Sequence, residues 1–247
     1  MKKKLNGIDI TYRYTRSQNG KTVLLLHGWG GSLNSFRTLE KQLIDSGFSV
    51  ITIDFPGFGG SSLPPETFEM IDYFKIVAEL LEQENIEKVS IVSHSFGGRV
   101  ALLLASYLPN KIEKLVLCDS AGIKPRFSLK KSIKIWKFKL LKKLKQKGLI
   151  KRDLSNYGST DYKAMPESLK PVFNRIVNTD LSEISKSIVC PTLIIWGTAD
   201  KDTPFYMAKK LNKNIADSAI IKFEGCGHFC YLEKPLEFQK IVVNFFE

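Results

Sequence analysis

Ser95 stands where a short apolar run gives way to a helix-like segment, in the sequence IVSHSFGGRV at 91–100. Ser93, Gly97 and Gly98 surround it with small side chains. A sharp strand-to-helix turn needs such small neighbours, and it exposes the serine hydroxyl above the strand end. A serine that only caps the helix would explain Ser95 but not the small residues. The pattern therefore predicts a nucleophile, although Ser93 stands where the usual G-x-S-x-G pattern has glycine.

A serine hydroxyl needs a base at neutral pH, and the chain has three histidines. His228, in EGCGHF, follows the last apolar run on a glycine-rich loop that can place an imidazole over the nucleophile. His94 is adjacent to Ser95 and would point away from it. His27 follows a buried run and is better suited to bracing its loop by hydrogen bonds. We therefore expect His228 to be the base.

The imidazole in turn needs a carboxylate that fixes its tautomer and stabilises its charged form. The sequence GTADKDTP follows an apolar run and offers Asp200 and Asp202. Asp200 lies nearer the strand end, whereas Asp202 is also suited to capping the next helix, so we favour Asp200. Asp119 is a weaker candidate because its strand comes earlier in the chain. The order Ser95, Asp200, His228 matches the order expected of a nucleophile elbow in an α/β sheet.

A negatively charged oxygen that forms during attack also needs hydrogen-bond donors. The sequence HGWGG at 27–31 directly follows an apolar run. We predict that the backbone N–H groups of Trp29 and Phe96 form an oxyanion hole. A simple flexible turn would account for the glycines equally well, but the nearby Ser95 favours the functional interpretation.

These residues need a scaffold that brings them together. Six short apolar runs rich in branched residues predict strands, at 23–26, 48–53, 89–92, 115–118, 193–196 and 219–223. Helix-length stretches separate most of them, at 67–83, 96–108, 205–213 and 234–246. This alternation is typical of an α/β fold with a mostly parallel sheet and helices on both faces. The opening LNGIDITYRYT alternates around Asn6-Gly7, which predicts an antiparallel hairpin at the sheet edge.

The alternation of strands and helices fails between residues 122 and 187. We interpret this segment as a helical cap inserted into a core domain made of 1–121 and 188–247. Thirteen of the 37 Lys and Arg residues lie between Ser120 and Arg152, without any Asp or Glu among them. The net charge of +12 therefore belongs to one element, which argues against nucleic acid as a partner.

The lysine-rich sequence KKSIKIWKFKLLKKLKQKG predicts an amphipathic helix whose apolar stripe contains Ile133, Trp136, Leu140 and Leu144. The simplest interpretation is a cap helix that lies on the domain with its lysines in water. Two alternatives are weak contact with an anionic membrane surface and steering of an anionic substrate. Since the stripe could roof a substrate pocket, Trp136 is a candidate substrate contact.

Composition restricts the remaining possibilities. With 43% hydrophobic residues in 247, the chain can bury a sizeable core, and no stretch reaches the roughly 18 apolar residues of a membrane span. We therefore expect a cytoplasmic protein. Cys226, His228 and Cys230 have a spacing that a metal could use, but a second matching pair is missing, so we expect no metal. The glycine-containing sequences at 57–62 and 20–22 fit neither a dinucleotide nor a phosphate loop, so we expect no cofactor.

Five motifs together resemble the α/β-hydrolase superfamily, in its small capped serine esterase-like branch. They are HGWGG at 27–31, DFPGFGGSS at 54–62, SHSFGG at 93–98, WGTADKDTP at 196–204 and GCGHF at 225–229. The resemblance covers nearly the whole chain apart from the cap. It implies an acyl-enzyme mechanism without a metal or an organic cofactor. Some related enzymes carry the acid where this chain has Asp119. Relatives with an aspartate nucleophile, the dehalogenases and epoxide hydrolases, differ at Ser95.

The sequence therefore predicts a serine hydrolase that acts on a small-molecule carboxylic ester or thioester. Hydrolysis of a carbon–carbon bond next to a ketone is an alternative within the same fold. Relatives of that kind tend to carry Trp after the histidine, where this chain has Phe229, itself a candidate substrate contact. A ligand-binding protein that retains the pocket without turnover is a further alternative.

Overall fold

The structure is a computed structural model that describes residues 1–18, 20–126, 129–146, 148–149 and 165–247. Eight strands in these ranges form one sheet: β1 (Lys2–Leu5), β2 (Ile8–Thr15), β3 (Thr22–Leu26), β4 (Ser49–Ile53), β5 (Val89–His94), β6 (Ile112–Cys118), β7 (Thr192–Gly197) and β8 (Ser218–Phe223). Their spatial order is β1-β2-β4-β3-β5-β6-β7-β8. The strands from β3 to β8 pair in parallel, and β1 and β2 form the antiparallel edge.

The predicted hairpin at the sheet edge is present. Asn6 and Gly7 have φ angles of 44° and 79°, the left-handed conformation that a two-residue turn between β1 and β2 requires. The strands β3, β4 and β5 are buried along their whole length, as expected of parallel strands covered on both faces. The predicted α/β fold is therefore confirmed.

Helices cover both faces of the sheet. The helices among the described residues are α1 (Arg37–Asp45), α2 (Met70–Gln83), α3 (Phe96–Tyr107), α4 (Leu129–Gln146), α5 (Lys170–Ile176), α6 (Tyr206–Asn214), α7 (Cys230–Glu233) and α8 (Pro235–Phe246). Each face of the sheet has its own apolar core, and alternate residues of β3 belong to different cores. Leu24 and Leu26 share a core with residues of α2, α3 and α6. Val23 and Leu25 share the other core with residues of α1 and α8. The period of two in a strand accounts for this division.

The segment between β6 and β7 contains α4 and α5. Of the predicted cap at 122–187, residues 127, 128, 147 and 150–164 lie outside the described residues. Arg99 on α3 holds the chain after α5, because its guanidinium donates to the carbonyl oxygens of Val177, at 2.9 Å, and Thr179. None of the helices built from the described residues is long and apolar enough to cross a membrane.

The parallel strands end at one edge of the sheet, and this edge carries the predicted site. The loops after β3, β5, β6, β7 and β8 supply all the residues that the sequence singles out for the nucleophile, the base, the acid and the oxyanion hole. Ligands bind in α/β sheets at this carboxyl edge.

Candidate active site

Ser95 occupies the junction between β5 and α3. Its φ of 48° lies in the left-handed region, which a residue other than glycine adopts at a cost in backbone strain. The small neighbours are required sterically: a Cβ on Gly97 would overlap the carbonyl oxygen of Leu26, and one on Gly98 would overlap the hydroxyl of Ser120. The sequence therefore folds into a tight elbow that lifts Ser95 above the strand end.

His228 lies between Ser95 and Asp200. Its Nε2 is 2.9 Å from Oγ of Ser95, and its Nδ1 is 2.8 Å from Oδ2 of Asp200. The Asp200 side chain is fully buried and the His228 side chain is 14% exposed. The three side chains therefore form one continuous hydrogen-bonded chain from a buried carboxylate to a serine hydroxyl.

Asp200 accepts more hydrogen bonds than the one from His228. The Thr203 hydroxyl donates to its Oδ2 at 2.6 Å, and the backbone N–H groups of Asp202 and Thr203 donate to its Oδ1 at 2.8 and 3.0 Å. Burial raises the pKa of Asp200, but these hydrogen bonds and His228 outweigh it and leave the pKa below its ordinary value. Asp202 is exposed and contributes its backbone to the turn.

The pKa of His228 shifts in the direction opposite to that of Asp200. Burial by itself lowers the pKa of His228, but the hydrogen bond and the charge of Asp200 outweigh it and raise the pKa above 6.5. An imidazole that gains proton affinity from a buried carboxylate is suited to accepting a proton from the serine hydroxyl.

The other two histidines make structural hydrogen bonds. His94 Nε2 donates to the carbonyl oxygen of His228 at 2.7 Å, and burial lowers the pKa of His94 to about 3. Nδ1 of His27 donates to the carbonyl of Gly28 at 2.7 Å, and its Nε2 accepts from the N–H of Phe55 at 3.0 Å. Burial lowers the pKa of His27 to about 4. Both rings are therefore neutral braces: His94 supports the backbone of His228, and His27 supports the glycine-rich loop.

The loop after β3 passes directly over the elbow. A Cβ on Gly28 would lie 2.6 Å from Nδ1 of His94 and 3.3 Å from Cβ of Ser95, so only glycine permits this approach. Within the described part of the chain, the backbone N–H groups of Trp29 and Phe96 donate to no protein acceptor. Two backbone donors are therefore available near Ser95, one in the loop after β3 and one at the start of α3.

Aromatic rings form a wall on this side of Ser95. The Trp29 ring packs edge-to-face against Phe58, Phe96 and Phe173, with centroid distances of 4.8, 5.3 and 5.0 Å. Sequence reasoning did not single out Phe58 or Phe173. Phe58 lies within the DFPGFGGSS motif and could have been noticed there, but nothing in the sequence around Phe173 on α5 indicates that it reaches Trp29.

The two predicted substrate contacts differ in position. The Phe229 ring lies 5.3 Å from the His228 ring and is 49% exposed, at the edge of the site. Trp136 on α4 is 63% exposed. Contact of either residue with a substrate stays a prediction.

Asp119 has a role that the sequence did not suggest. Its Oδ1 accepts the N–H of Gly197 at 2.8 Å, and its Oδ2 accepts the N–H of Cys230 at 3.2 Å. Burial raises the pKa of Asp119 to about 6. The carboxylate therefore ties the end of β7, which precedes Asp200, to the residue that follows the His228 loop.

Two groups of potential metal ligands occur among the described residues. The first joins Cys118, Asp119 and Cys230, all buried, and the second joins Asp200, Asp202 and His228. The second group includes the hydrogen-bonded pair already described, and in the first the Cys118 and Cys230 sulfurs are 3.5 Å apart beside the Asp119 carboxylate. The side chains of Cys118, Asp119, Cys230, Asp200 and His228 already take part in hydrogen bonds, whereas Asp202 is exposed.

Comparison with known proteins agrees with this architecture. A family model described as "alpha/beta hydrolase fold" matches residues 21–146, just over half of the chain. The chain is 26% identical to an uncharacterized hydrolase, YugF, of Bacillus subtilis, and the alignment covers 98% of this chain and 95% of that protein. It is 27% identical to a 2-hydroxy-6-oxo-6-phenylhexa-2,4-dienoate hydrolase of Comamonas testosteroni, with 96% and 91% covered.

A solved structure has a similar backbone fold. An esterase from Exiguobacterium antarcticum superposes with a TM-score of 0.79 at 23% identity, over 99% of this chain and 98% of that chain. At this identity the similarity concerns the fold.

Proposed function

The chain belongs to the α/β-hydrolase fold family, and on that premise we propose that it is a serine hydrolase that cleaves a carboxylic ester or thioester. The hydrogen-bonded chain from Asp200 through His228 to Ser95 is the observation that carries this proposal. A serine at 2.9 Å from an imidazole that is itself oriented by a buried carboxylate has the arrangement of an activated nucleophile.

The proposed reaction proceeds in two steps. Ser95 Oγ attacks the substrate carbonyl carbon while His228 Nε2 takes the hydroxyl proton, and the same imidazole then gives that proton to the departing alcohol or thiol. A water molecule next loses a proton to His228 and attacks the acyl-enzyme, which releases the carboxylic acid and restores the Ser95 hydroxyl. Asp200 keeps the proton on Nδ1 and stabilises the charged imidazole in both steps.

The loops around Ser95 support the same chemistry. The N–H groups of Trp29 and Phe96 would donate to the carbonyl oxygen as it becomes negative, from backbone positions that need no reorganisation. The aromatic wall of Trp29, Phe58 and Phe173 offers an apolar surface for a small to medium acyl group. In this proposal residues 122–187 are the cap, since α5 contributes Phe173 to that wall.

Hydrolysis of a carbon–carbon bond next to a ketone is the second candidate. The relative from Comamonas testosteroni, whose name describes a hydrolase of 2-hydroxy-6-oxo-6-phenylhexa-2,4-dienoate, favours it. Both reactions act on a carbonyl carbon beside the nucleophile and differ in the leaving group. A substrate panel therefore has to include such a dienoate together with ester and thioester substrates.

Fluorophosphonate labelling of the purified protein, followed by peptide mass mapping, tests the nucleophile. We expect one adduct, on Ser95, that is lost in Ser95→Ala and in His228→Ala and retained in Ser106→Ala, a control serine whose hydroxyl is bonded to Ser187 at the surface. Turnover of esters or thioesters but not of the dienoate would support the first candidate, and the reverse would support the second. A folded protein that forms no adduct and turns over none of them would contradict the proposal and favour a ligand-binding role.

A further inference from the structure

Helix α4 exposes a stripe of large apolar side chains. Ile133, Trp136 and Leu140 are 51%, 63% and 43% exposed. At about 100° per residue, these three positions lie within an arc of about 60° on one side of the helix. Large apolar residues scattered singly on a surface need no explanation, but three aligned on one helix face mark an interaction surface.

Lysines border this stripe on both sides. Lys137 follows Trp136 by about 100° around the helix and lies just beyond Ile133, whereas Lys143 lies about 20° beyond Trp136 on the opposite border. Both lysines are exposed. We call this surface, made of Ile133, Trp136, Leu140, Lys137 and Lys143, the α4 outer face.

We propose that the α4 outer face docks on an anionic lipid bilayer, with its apolar stripe inserted at the headgroup level and its lysines against the lipid phosphates. A helix that presents large apolar residues flanked by lysines has the composition of an interfacial helix. Charge complementarity selects this partner, since the chain has no acidic residue between Ser120 and Arg152 and anionic lipid attracts such a basic segment.

Two other occupants fit the same face less well. A second copy of the chain would bring two lysine-bordered faces together, and the like charges would repel. Nucleic acid would satisfy the lysines but would leave the aliphatic side chains of Ile133 and Leu140 without an apolar partner. The docking proposal goes beyond the proposed hydrolase function and does not depend on it, because none of the five residues takes part in the hydrogen bonds that join Ser95, His228 and Asp200.

Vesicle binding by the full chain tests the proposal, with Trp136 as an internal probe. We expect co-sedimentation with vesicles of phosphatidylcholine and phosphatidylglycerol in a 3:1 ratio, together with a blue shift of tryptophan emission. Pure phosphatidylcholine vesicles should bind much less, and high salt should release the protein. The shift should disappear in Trp136→Phe, since Trp196 is buried and Trp29 is packed among aromatic rings.

Matched variants separate charge from apolar insertion. The pair Lys137→Gln and Lys143→Gln should weaken binding about 25-fold, about fivefold for each lysine, whereas Lys209→Gln with Lys213→Gln on α6 removes the same charge elsewhere and should have little effect. Ile133→Ser with Leu140→Ser should also weaken binding by about tenfold or more. An unchanged thermal unfolding midpoint in each variant establishes that the fold is intact.

Some results of these experiments would contradict the docking proposal. Equal binding to both vesicle types, or equal losses for the α4 and α6 lysine pairs, would overturn the proposal. A dimer in light scattering that dissociates in Ile133→Ser with Leu140→Ser would overturn it as well, because the stripe would then be covered by a second copy. Ser95→Ala should bind vesicles as the unmodified chain does, so that loss of hydrolysis and loss of docking remain distinguishable.

Discussion

His228 owes its position to three residues at the ends of two strands, β5 and β7. Asp200, which follows β7, and Ser95, which follows β5, are hydrogen-bonded to the two nitrogens of its ring. His94, the last residue of β5, donates to its backbone carbonyl oxygen. The ring is therefore oriented through its side chain and its main chain at once. Such support from neighbouring hydrogen bonds is what preorganises a catalytic group.

The pH dependence of turnover tests the pairing of Asp200 with His228. Because Asp200 raises the pKa of His228 above 6.5, we expect kcat/KM to fall at low pH with an apparent pKa above 6.5. In Asp200→Asn the charge is lost, so the acid limb should move to lower pH and kcat should fall by about 10³- to 10⁴-fold. Both effects are measured from kcat and kcat/KM between pH 5 and pH 9, with an ester that the protein hydrolyses.

Asp202→Asn is the matched control for that experiment. Asp202 lies on the same loop but is exposed, and it bonds Asp200 only through its backbone N–H, which asparagine keeps. We expect a nearly unchanged profile. A large loss in Asp202→Asn with a small one in Asp200→Asn would reverse the assignment of the acid.

Part of this site follows from residue types and spacing alone. The elbow around Ser95 and the late position of His228 are readable because glycines and chain order constrain them. Spacing favours Asp200 over Asp202 only weakly, since both lie on one loop and the difference is which carboxylate becomes buried. The bracing by Asp119 is hidden entirely, because it depends on hydrogen bonds to two loops that are distant in sequence.

At the scale of elements, α3 joins Ser95 to the segment between β6 and β7. The helix begins directly after Ser95, and one turn later Arg99 donates to the carbonyl oxygens of Val177 and Thr179. Arg99 is buried, which lowers its pKa to about 10 and leaves it charged at neutral pH. The chain that follows α5 is thus attached to the helix that carries the elbow.

Loss of Arg99 should loosen that attachment. In Arg99→Ala two carbonyl oxygens lose a charged donor that is itself buried, so we expect the free energy of unfolding to fall by about 2–4 kcal/mol. Backbone amides in 170–181 should exchange faster with deuterium. Since α5 carries Phe173 against Trp29, KM should rise more than kcat falls.

Arg175→Ala removes an exposed arginine from α5 itself and serves as the control. It should leave exchange in 170–181 and the unfolding free energy nearly unchanged. Equal protection of this segment in Arg99→Ala and in the unmodified chain would show that other contacts hold it.

The sheet was predictable from sequence, whereas the orientation of α4 was not. Buried strands such as β3 and β5 are read from short branched runs, because a parallel sheet covered on both faces demands them. Periodicity places Ile133, Trp136 and Leu140 on one face of a helix, but it does not decide whether that face is covered. The structure leaves all three largely exposed.

At the scale of the whole molecule, the described residues form two apolar cores, one on each face of the sheet, and the neutral histidines His27 and His94 are buried near its carboxyl edge. His27 and His94 lie in surroundings where a charged imidazole is costly, and burial is the main cause of their low pKa values of about 4 and about 3. The stability of the entire fold is therefore linked to the protonation of these two rings.

Acid should destabilise the protein through these histidines. The unfolded chain takes up protons below pH 6.5, whereas the folded chain resists until about pH 4 at His27 and about pH 3 at His94. Their stabilising contribution is thus complete above pH 6.5, is lost progressively as the pH falls below 6.5, and is fully lost once the pH has fallen through the folded pKa values. Each should reduce the free energy of unfolding by about 2 kcal/mol between pH 8 and pH 5.

Urea unfolding at pH 8 and pH 5 measures this difference. His27→Gln keeps one donor and one acceptor but cannot titrate, so its stability should depend less on pH by about 2 kcal/mol. His228→Gln is the control with the opposite sign: the raised pKa of His228 adds stability at low pH, and its removal should make the acid loss larger. If His27→Gln retains the full dependence on pH, the acid sensitivity arises from other groups.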